Sequence, residues 1–392
     1  MKKLFLFLYF TFYIFNTSFS QSCHLRISLL TCAPGEELYS TFGHTALRVT
    51  DSIAGTDYVF NYGTFEFGSD FYIQFIRGKL LYYLSVENFN DFVAQYQWES
   101  RSIQEQVLQL DCQEKQELYT ALQTNSRPEN RYYRYDFLFD NCTTRARDIV
   151  ARNTIPAVIF RNILPKDVPT FRDMIHSYLD RGGQYWSKLG IDILLGAKLD
   201  HRVTNQQAMF LPDYLLQGFD RAALGDSASI GKLPLTSKPQ TILSMPSPLN
   251  KGSLFKPAIV FTLLLVLVSA LTFIKANWAT AALQVFDFLF FFILGLTGIL
   301  LLFMWFGTDH VVCQNNFNLL WALPTHVVIA FFVHLKKEWV SKYYKVVFWI
   351  TILLAAAWGF LPQEMNNALL PLVALILLRS WRLSGKNVKK AF

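Results

Sequence analysis

The sequence predicts a two-part fold, an α+β exported domain followed by an all-α membrane domain, and three observations support it. First, 52% of the 392 residues are hydrophobic and the mean hydropathy is +0.24, which is too apolar for an ordinary soluble domain. Second, the N-terminal half mixes strand-like and helical patterns, whereas the C-terminal half consists of long apolar segments. Third, residues 225–256 are rich in glycine, proline, serine and threonine, and they predict a linker between the halves.

The formal net charge of +7 raises the question of a nucleic-acid partner. No basic stripe interleaved with aromatic residues accompanies a recognisable nucleic-acid fold, so we predict that no nucleic acid binds. The lysines and arginines instead collect beside apolar segments. This distribution is typical of a protein oriented in a membrane.

Residues 1–20 have the pattern of a secretory signal peptide. Lys2 and Lys3 precede an apolar, aromatic-rich run at residues 4–15, and Ser18 and Ser20 supply small residues for cleavage before residue 21. An uncleaved anchor is the alternative. Ser20, three residues before Cys23, replaces the aliphatic residue of a lipobox and argues against lipidation there.

Residues 21–224 form the predicted exported domain, which is long enough for a single hydrophobic core. Alternating hydrophobic residues predict strands, and apolar residues at helical spacing predict helices. The predicted strands are 24–30, 46–49, 57–63 and 104–110, and the predicted helices are 114–123, 170–179 and 211–224.

The stretch 136–148 places Cys142 at the opening of a helix. Asn141 is a good N-cap residue, and the residues after Cys142 have helical spacing. The positive end of a helix stabilises a thiolate, which is the nucleophilic form of cysteine. A single cysteine is more often a buried small hydrophobe or half of a disulfide. A nucleophile at Cys142 therefore requires a base elsewhere in the sequence.

The candidate base is His44, which follows Gly43 and precedes the predicted strand 46–49. A nucleophilic cysteine needs an imidazole to accept its proton, and the imidazole needs a polar partner to fix its tautomer. Asn61, on the next predicted strand, supplies that partner. Without Cys142, a structural histidine would be the better interpretation of His44. With it, we predict that Cys142, His44 and Asn61 are catalytic.

The order of these residues resembles the circularly permuted papain-like fold, the variant of the NlpC/P60 superfamily that includes lecithin:retinol-acyltransferase-like enzymes. More narrowly, residues 30–44 and 135–145 resemble the membrane-bound lipoprotein N-acyltransferase family of the Lnb type. His44 and Cys142 match the family's histidine and cysteine by motif position, and Asn61 follows from the permuted fold. The resemblance implies an α+β permuted papain-like exported domain of the NlpC/P60 type, followed by an all-α bundle of about five transmembrane helices.

The resemblance also implies a cysteine acyltransferase without a cofactor. Its partners would be the membrane, a phospholipid acyl donor and a diacylated lipoprotein, whose N-terminal amine would receive the chain through a Cys142 thioester. Backbone N–H groups at the start of the Cys142 helix would stabilise the oxyanion. Two alternatives stay open: a membrane-anchored NlpC/P60-like hydrolase of the cell wall, and a non-catalytic envelope sensor or scaffold. Candidate substrate-binding residues are Tyr39, Ser40, Asn141, Arg145 and His310.

Five apolar segments follow the linker, and each approaches the length that spans a bilayer. Basic residues follow the third and the fifth, so those ends and the tail at 382–392 are predicted to be cytoplasmic. The exported domain and the loops 307–316 and 361–366 then lie on the periplasmic side of a bacterial inner membrane. The segments are 257–274, 283–306, 317–335, 344–360 and 366–381.

Several polar residues remain to be placed. In the loop 307–316, Asp309, His310 and Cys313 are too few for a metal site, so no metal is predicted. This loop is either a solvated connection or a surface that meets the exported domain and helps to bind a lipid head group. His326, inside the third apolar segment, either lines a cavity or bonds a neighbouring helix. An oxidising compartment permits one disulfide, with three possible pairings, among Cys23, Cys32 and Cys112.

Overall fold

The computed structural model describes residues 23–66, 68–155, 157–225, 233–246, 255–335 and 337–385. The predicted signal peptide, two stretches of the predicted linker and the tail after residue 385 lie outside the described residues.

A seven-stranded antiparallel sheet is the framework of the N-terminal half. Its strands are β1 (Leu25–Cys32), β2 (His44–Asp51), β3 (Thr56–Thr64), β4 (Leu81–Asn88), β5 (Ile103–Val107), β6 (Tyr132–Arg134) and β10 (Gln240–Leu243). Their order across the sheet is β10, β5, β1, β2, β3, β4, β6. The interior strand β1 is buried along almost its whole length, including the polar Ser28 and Thr31.

The described residues of this half form eight α-helices, some of which cover the two faces of the sheet. They are α1 (Phe71–Arg77), α2 (Phe89–Trp98), α3 (Cys112–Ser126), α4 (Cys142–Arg152), α5 (Phe171–Arg181), α6 (Tyr185–Leu194), α7 (Asn205–Ala208) and α8 (Pro212–Arg221). Side chains of α3, α4 and α8 form the larger core on one face. Phe92 and Tyr96 of α2 pack with Leu30 and Val59 on the other face. The predicted α+β composition of this half is confirmed.

Part of the predicted linker belongs to the N-terminal domain. Three short strands, β7 (Val158–Ile159), β8 (Ala223–Leu224) and β9 (Leu233–Pro234), form a second sheet. After β9, Leu235 is buried in the large core, and β10 pairs with β5 at the edge of the main sheet. The glycines and prolines of this segment obscure the few apolar residues that anchor it. The prediction of a plain linker over 225–256 is therefore wrong for residues 233–243.

The C-terminal half is helical, as predicted. Its helices are α9 (Pro257–Phe273), α10 (Asn277–Phe306), α11 (His326–Ile329), α12 (Glu338–Ala357) and α13 (Leu370–Ser384). Within the described residues, three helical stretches are long and apolar enough to cross a membrane, Asn277–Phe306, Glu338–Ala357 and Asn367–Ser384, and α9 is a shorter apolar helix. The count of five spans stays a prediction.

The third predicted span, 317–335, is not one continuous helix. It contains α11 between two 3₁₀ turns, Phe317–Leu320 and Ala330–Phe332. Pro324 lacks the N–H that a continuous helix would use. The broken backbone also lies close against α10, because a Cβ at Gly298 would be only 2.0 Å from the Ala322 carbonyl oxygen. Irregular backbone is tolerated at membrane depth where protein surrounds it.

His326 lies within this broken segment and is fully buried. Its Nδ1 is hydrogen-bonded to the Tyr343 hydroxyl at 2.8 Å, and its ring packs against Phe291. Of the two predicted environments for His326, the structure therefore shows a bond to a neighbouring helix.

Both predicted outer loops contact the N-terminal domain. In the loop 361–366, the Asn366 amide donates to Asp192 of α6 at 2.8 Å. In the loop 307–316, the Val312 carbonyl accepts from the Gly196 N–H at 2.9 Å. Asp192 is itself buried in an ion pair with Arg172, at 2.7 Å. The two halves are therefore joined through a network of buried polar groups.

Candidate active site

The start of α4 is fixed by its cap. Asn141 Oδ1 accepts from the N–H groups of Thr143 and Thr144, each at 2.9 Å. The Asn141 amide nitrogen donates to the carbonyl oxygens of Phe137 and Phe210, at 2.7 and 3.0 Å. Both ends of this buried amide are thus bonded within the protein, and Asn141 places Cys142 as the first residue of the helix.

The imidazole of His44 lies between Asn61 and Cys142. Its Nε2 is 2.6 Å from Asn61 Oδ1. Since an amide oxygen can only accept, Nε2 carries the proton and donates it. The Cys142 side chain lies within interaction range of this ring, and since Nε2 is bonded to Asn61 we assign Nδ1 to the sulfur. The structure therefore brings the three predicted residues together in the order cysteine, histidine, asparagine.

Glu87 extends this series, and it was missed in the sequence. Asn61 Nδ2 donates to Glu87 Oε1 at 3.0 Å. Because a carboxylate only accepts, this bond fixes the amide with Oδ1 toward His44. Glu87 lies on β4, the strand next to that of Asn61. An acidic residue in a strand of mainly aromatic and apolar residues is the signal that could have found it.

The surroundings of Cys142 lower the pKa of its thiol to about 7. Burial alone would raise this pKa, because it disfavours the thiolate. The charge of His44 and its hydrogen bond outweigh burial, and the Thr45 N–H and the Thr143 hydroxyl contribute further. The pKa of His44 is raised, because the thiolate of Cys142 and the bond to Asn61 offset the effect of burial. A thiolate–imidazolium pair is therefore favoured near neutral pH.

A β-bulge lets β3 pass close to this pair. The pairing of β3 with β4 shifts register between Asn61 and Thr64, and Gly63 within the bulge has a φ of +92°. A Cβ at Gly63 would lie 3.5 Å from Cys142 Cβ and 3.7 Å from His44 Cε1. Bulges often re-aim side chains beside functional sites. Here the bulge leaves room for the Cys142 and His44 side chains.

The helix start offers fewer free donors than the sequence predicts. Two of its N–H groups, those of Thr143 and Thr144, are occupied by the Asn141 cap. Among the described residues, the N–H of Cys142 itself is the one left at the helix start. The Thr45 N–H, on β2, is a second donor near the sulfur because it bonds the Cys142 side chain.

Two candidate substrate-binding residues lie in the turn before β2. Tyr39 is 73% exposed at the surface. Ser40 is buried, and its hydroxyl donates to the Glu37 carbonyl oxygen at 3.0 Å, within the turn. The contacts described for Tyr39 and Ser40 are with residues other than Cys142 and His44. Their role in substrate binding stays a prediction.

Two further candidates make contacts that support neighbouring elements. Arg145, one turn after Cys142, forms a two-bond ion pair with Asp140 at 2.6 and 2.8 Å, and its guanidinium lies 3.5 Å from the centre of the Tyr133 ring. His310 Nε2 is 3.1 Å from the Phe75 carbonyl oxygen of α1. His310 therefore joins the membrane half to the exported domain, and its role in substrate binding stays a prediction.

The remaining cysteines of this half lie in two places. Cys32 is fully buried, and burial raises its pKa to about 12, so it is a poor nucleophile. Cys23 and Cys112 are both exposed, and their thiols are in hydrogen-bonding contact. Of the three possible pairings, this is the pair that the structure places side by side.

The fold and the site define a class of protein: a membrane-anchored protein whose sheet-and-helix domain carries a half-buried cysteine, histidine and asparagine. Two family models match its two halves. Residues 13–177 match the Lnb N-terminal periplasmic domain, and residues 249–391 match the Lnb transmembrane domain. The chain belongs to the Lnb-type lipoprotein N-acyltransferase family. No curated protein and no solved structure matches it.

Family membership establishes a coarse function and location. The chain is a membrane protein of lipoprotein maturation, with a periplasmic domain followed by a membrane domain. The roles of Cys142, His44 and Asn61 stay predictions.

Proposed function

We propose that this protein is a cysteine N-acyltransferase that moves an acyl chain from a phospholipid to the N-terminal amine of a diacylglyceryl-cysteine lipoprotein. One observation carries the proposal. His44 is held at 2.6 Å by Asn61 with its other nitrogen toward a Cys142 thiol whose pKa is about 7. This is the cysteine, histidine and asparagine arrangement of papain-like enzymes, which supports the permuted papain-like relationship.

In the first half-reaction, His44 Nδ1 takes the thiol proton and the Cys142 thiolate attacks the ester carbonyl carbon of the phospholipid. A C–S bond forms, and the carbonyl oxygen becomes an oxyanion that the Cys142 N–H stabilises. The ester C–O bond then breaks. The lysophospholipid leaves with the proton from His44, and the acyl chain stays on Cys142 as a thioester.

In the second half-reaction, the neutral α-amino group of the lipoprotein attacks the thioester carbonyl. A C–N bond forms, the C–S bond breaks, and the sulfur leaves as the stabilised thiolate. His44 takes the surplus proton from the nitrogen. The products are an amide-linked third acyl chain and the original enzyme.

The membrane half is consistent with this chemistry. Donor and acceptor both reside in the outer leaflet of the membrane, and the buried network at Asp192 holds the catalytic domain against the helical half. We infer that the protein is a multi-pass protein of the bacterial inner membrane. A wall hydrolase would need only a tether, and the family match argues against that alternative and against a non-catalytic scaffold.

The test uses a reporter lipoprotein in cells that lack N-acylation. These cells receive wild-type protein, Cys142→Ser, or the control Ile53→Ser, which changes an exposed side chain away from the site. Mass spectrometry of the reporter's N-terminal peptide should show an amide-linked acyl chain with wild type and Ile53→Ser. Cys142→Ser should give none at equal protein level. A diacylated reporter with well-expressed wild type would overturn the proposal.

A further inference from the structure

The short helix α1 presents an apolar surface on the exported domain. Ile73, Phe75 and Ile76 are 62%, 52% and 45% exposed. Contiguous exposed apolar residues on a domain surface mark sites of protein or membrane contact. Arg77 and Lys79, both exposed, lie directly after them.

Hydrogen bonds attach α1 to the residues that follow α10. The Asp309 N–H donates to the Arg77 carbonyl oxygen at 3.0 Å, and His310 Nε2 is 3.1 Å from the Phe75 carbonyl oxygen. The helix α10 is a candidate membrane span that ends at the exposed Phe306. Aromatic residues at the end of a span typically lie at the level of the lipid head groups. The helix α1 is therefore held at the membrane surface.

Aromatic rings continue from α1 into the domain. Each ring contacts the next, with centroid distances of 6.1, 5.6, 5.2 and 4.2 Å. The length of this four-step path is of the same order as the hydrocarbon thickness of one leaflet. That thickness is about 15 Å, half of the core of a bilayer. In order from the membrane surface, these path rings are Phe75, Phe71, Phe65, Tyr82 and Tyr135.

The inner end of the path reaches Cys142. Tyr82 and Tyr135 pack, together with Cys142, against the same core cluster. Burial, and after it the negative charge of the Cys142 thiolate, raises the pKa of Tyr135, so these two side chains are close. The path therefore connects the membrane surface to the sulfur.

We propose that α1 and the path rings bind an acyl chain of an outer-leaflet phospholipid and lead its ester to Cys142. Aromatic faces offer an apolar lining that suits a hydrocarbon chain. Arg77 and Lys79 suit the phosphate of the same lipid, since basic residues beside an apolar surface are attracted to anionic head groups. This proposal rests on the proposed function and adds to it the binding site of the donor chain.

The first experiment measures lipid contact without catalysis. Full-length Cys142→Ser protein carries p-benzoylphenylalanine in place of Ile73 and is reconstituted in vesicles of phosphatidylethanolamine and phosphatidylglycerol. Irradiation should give a lipid adduct by intact mass. The control places the same residue at Ile53, which is 79% exposed in the turn at the far end of β2 from His44. Lipid adducts that are equally frequent at both positions, or absent at residue 73, would overturn the proposal.

The second experiment separates entry of the donor from chemistry. Acylation of Cys142 is followed by intact mass with two donors, vesicle phospholipid and a water-soluble short-chain ester. Ile73→Glu and Phe65→Ala should slow acylation by vesicle phospholipid at least tenfold and leave the short-chain reaction within twofold. Ile53→Glu should change neither rate.

The outcomes are distinguishable. Equal loss with both donors would mean that α1 only supports the fold, and no loss with either would mean that the chain enters elsewhere. If wild type forms no adduct from either donor, the proposed function fails, whereas the crosslinking result still decides whether α1 contacts lipid.

Discussion

At the scale of single residues, Glu87 acts on Cys142 only through Asn61 and His44. Its carboxylate fixes which end of the Asn61 amide faces the imidazole. Without it, the amide can rotate and present its NH₂ group to the protonated Nε2 of His44. That arrangement loses the bond that holds the ring toward the sulfur.

The first prediction concerns this orientation. Glu87→Ala should slow acylation of Cys142 about ten- to a hundredfold, which corresponds to the ~1.5–3 kcal/mol of a hydrogen bond to a charged group. Glu87→Gln keeps an acceptor oxygen and should lose much less. Acylation rates over a pH series, with the thermal unfolding midpoint as a check on folding, measure this. Equal losses in both variants would contradict a role in orientation.

The second prediction concerns ionisation. Since the pKa of Cys142 is lowered to about 7 from the ordinary 9.0, the thiolate forms as the pH rises through 7. Alkylation of the Cys142 peptide by iodoacetamide should therefore reach half its maximal rate near pH 7. His44→Ala removes the favourable charge and leaves the burial, so the midpoint should move to higher pH. An unchanged midpoint in His44→Ala would exclude the proposed ion pair.

Sequence reasoning located Cys142, His44 and Asn61, because a helix cap, a strand start and a neighbouring strand are local signals. It did not find Glu87 or the Thr45 N–H. Their positions depend on strand pairing and on how α4 packs against β2, which arise from contacts between distant parts of the chain. It also overestimated the free donors at the helix start, since the Asn141 side chain that caps the helix occupies two of them.

At the scale of elements, the bulge in β3 leaves room for the side chains of Cys142 and His44. Gly63 has a backbone conformation that other residues adopt only with strain.

The third prediction uses two glycines of similar conformation. Gly63→Ala should lower the free energy of unfolding by about 1–3 kcal/mol and should also reduce acylation, because the strained bulge lies beside Cys142 and His44. Gly55→Ala is the matched control, with a φ of +65° and open space around it. Gly55→Ala should lower the free energy of unfolding without a specific loss in the rate of Cys142 acylation. Thermal midpoints and acylation rates of both variants distinguish strain from a local effect.

The fourth prediction concerns the pairing of Cys23 with Cys112, the first residue of α3. With the oxidising equivalents of a periplasmic dithiol oxidase, the two adjacent thiols should form a disulfide, which joins the start of the described chain to the N-terminus of α3. Non-reducing peptide mapping should show the two peptides linked and lighter by two hydrogens. Linked peptides that contain Cys32 or Cys142 instead would contradict this pairing.

The broken segment 317–335 shows why the sequence predicted some elements incorrectly. This segment is long and apolar enough to be predicted as a span. Its composition does not reveal that its backbone closely approaches α10 at Gly298. The strand β10 was not predicted, because turn-forming residues surround its short apolar run.

At the scale of the whole molecule, the contact between the two halves depends on buried charge. Arg172 and Asp192 are each 1% exposed in their side chains, and Asn366 from the membrane half bonds the same carboxylate. Without Asp192, Arg172 would keep Asp200 as its anionic partner, at 2.8 Å. His176 and Asn366 would lose the acceptor that they share.

The fifth prediction tests this contact. Asp192→Ala should lower the free energy of unfolding by about 1–3 kcal/mol or more, because buried donors lose their acceptor. Asp180→Ala, which removes the half-exposed partner of Lys188 on the neighbouring surface, should change it by at most about 1 kcal/mol. Thermal midpoints in detergent micelles compare the two. Similar shifts would mean that the buried network is not what stabilises the interface.

The attachment of the exported domain to the membrane half also bears on the thickness of the membrane in which the protein works. If the Asp192 network and the Val312 contact keep the exported domain at a constant height, the sulfur cannot follow a leaflet whose esters lie deeper or shallower than usual. Bilayer thickness then becomes a determinant of rate, because a mismatch between the spans and the hydrocarbon must be taken up by the lipid. Vesicles with shorter or longer acyl chains should therefore slow the reaction on either side of an optimal thickness.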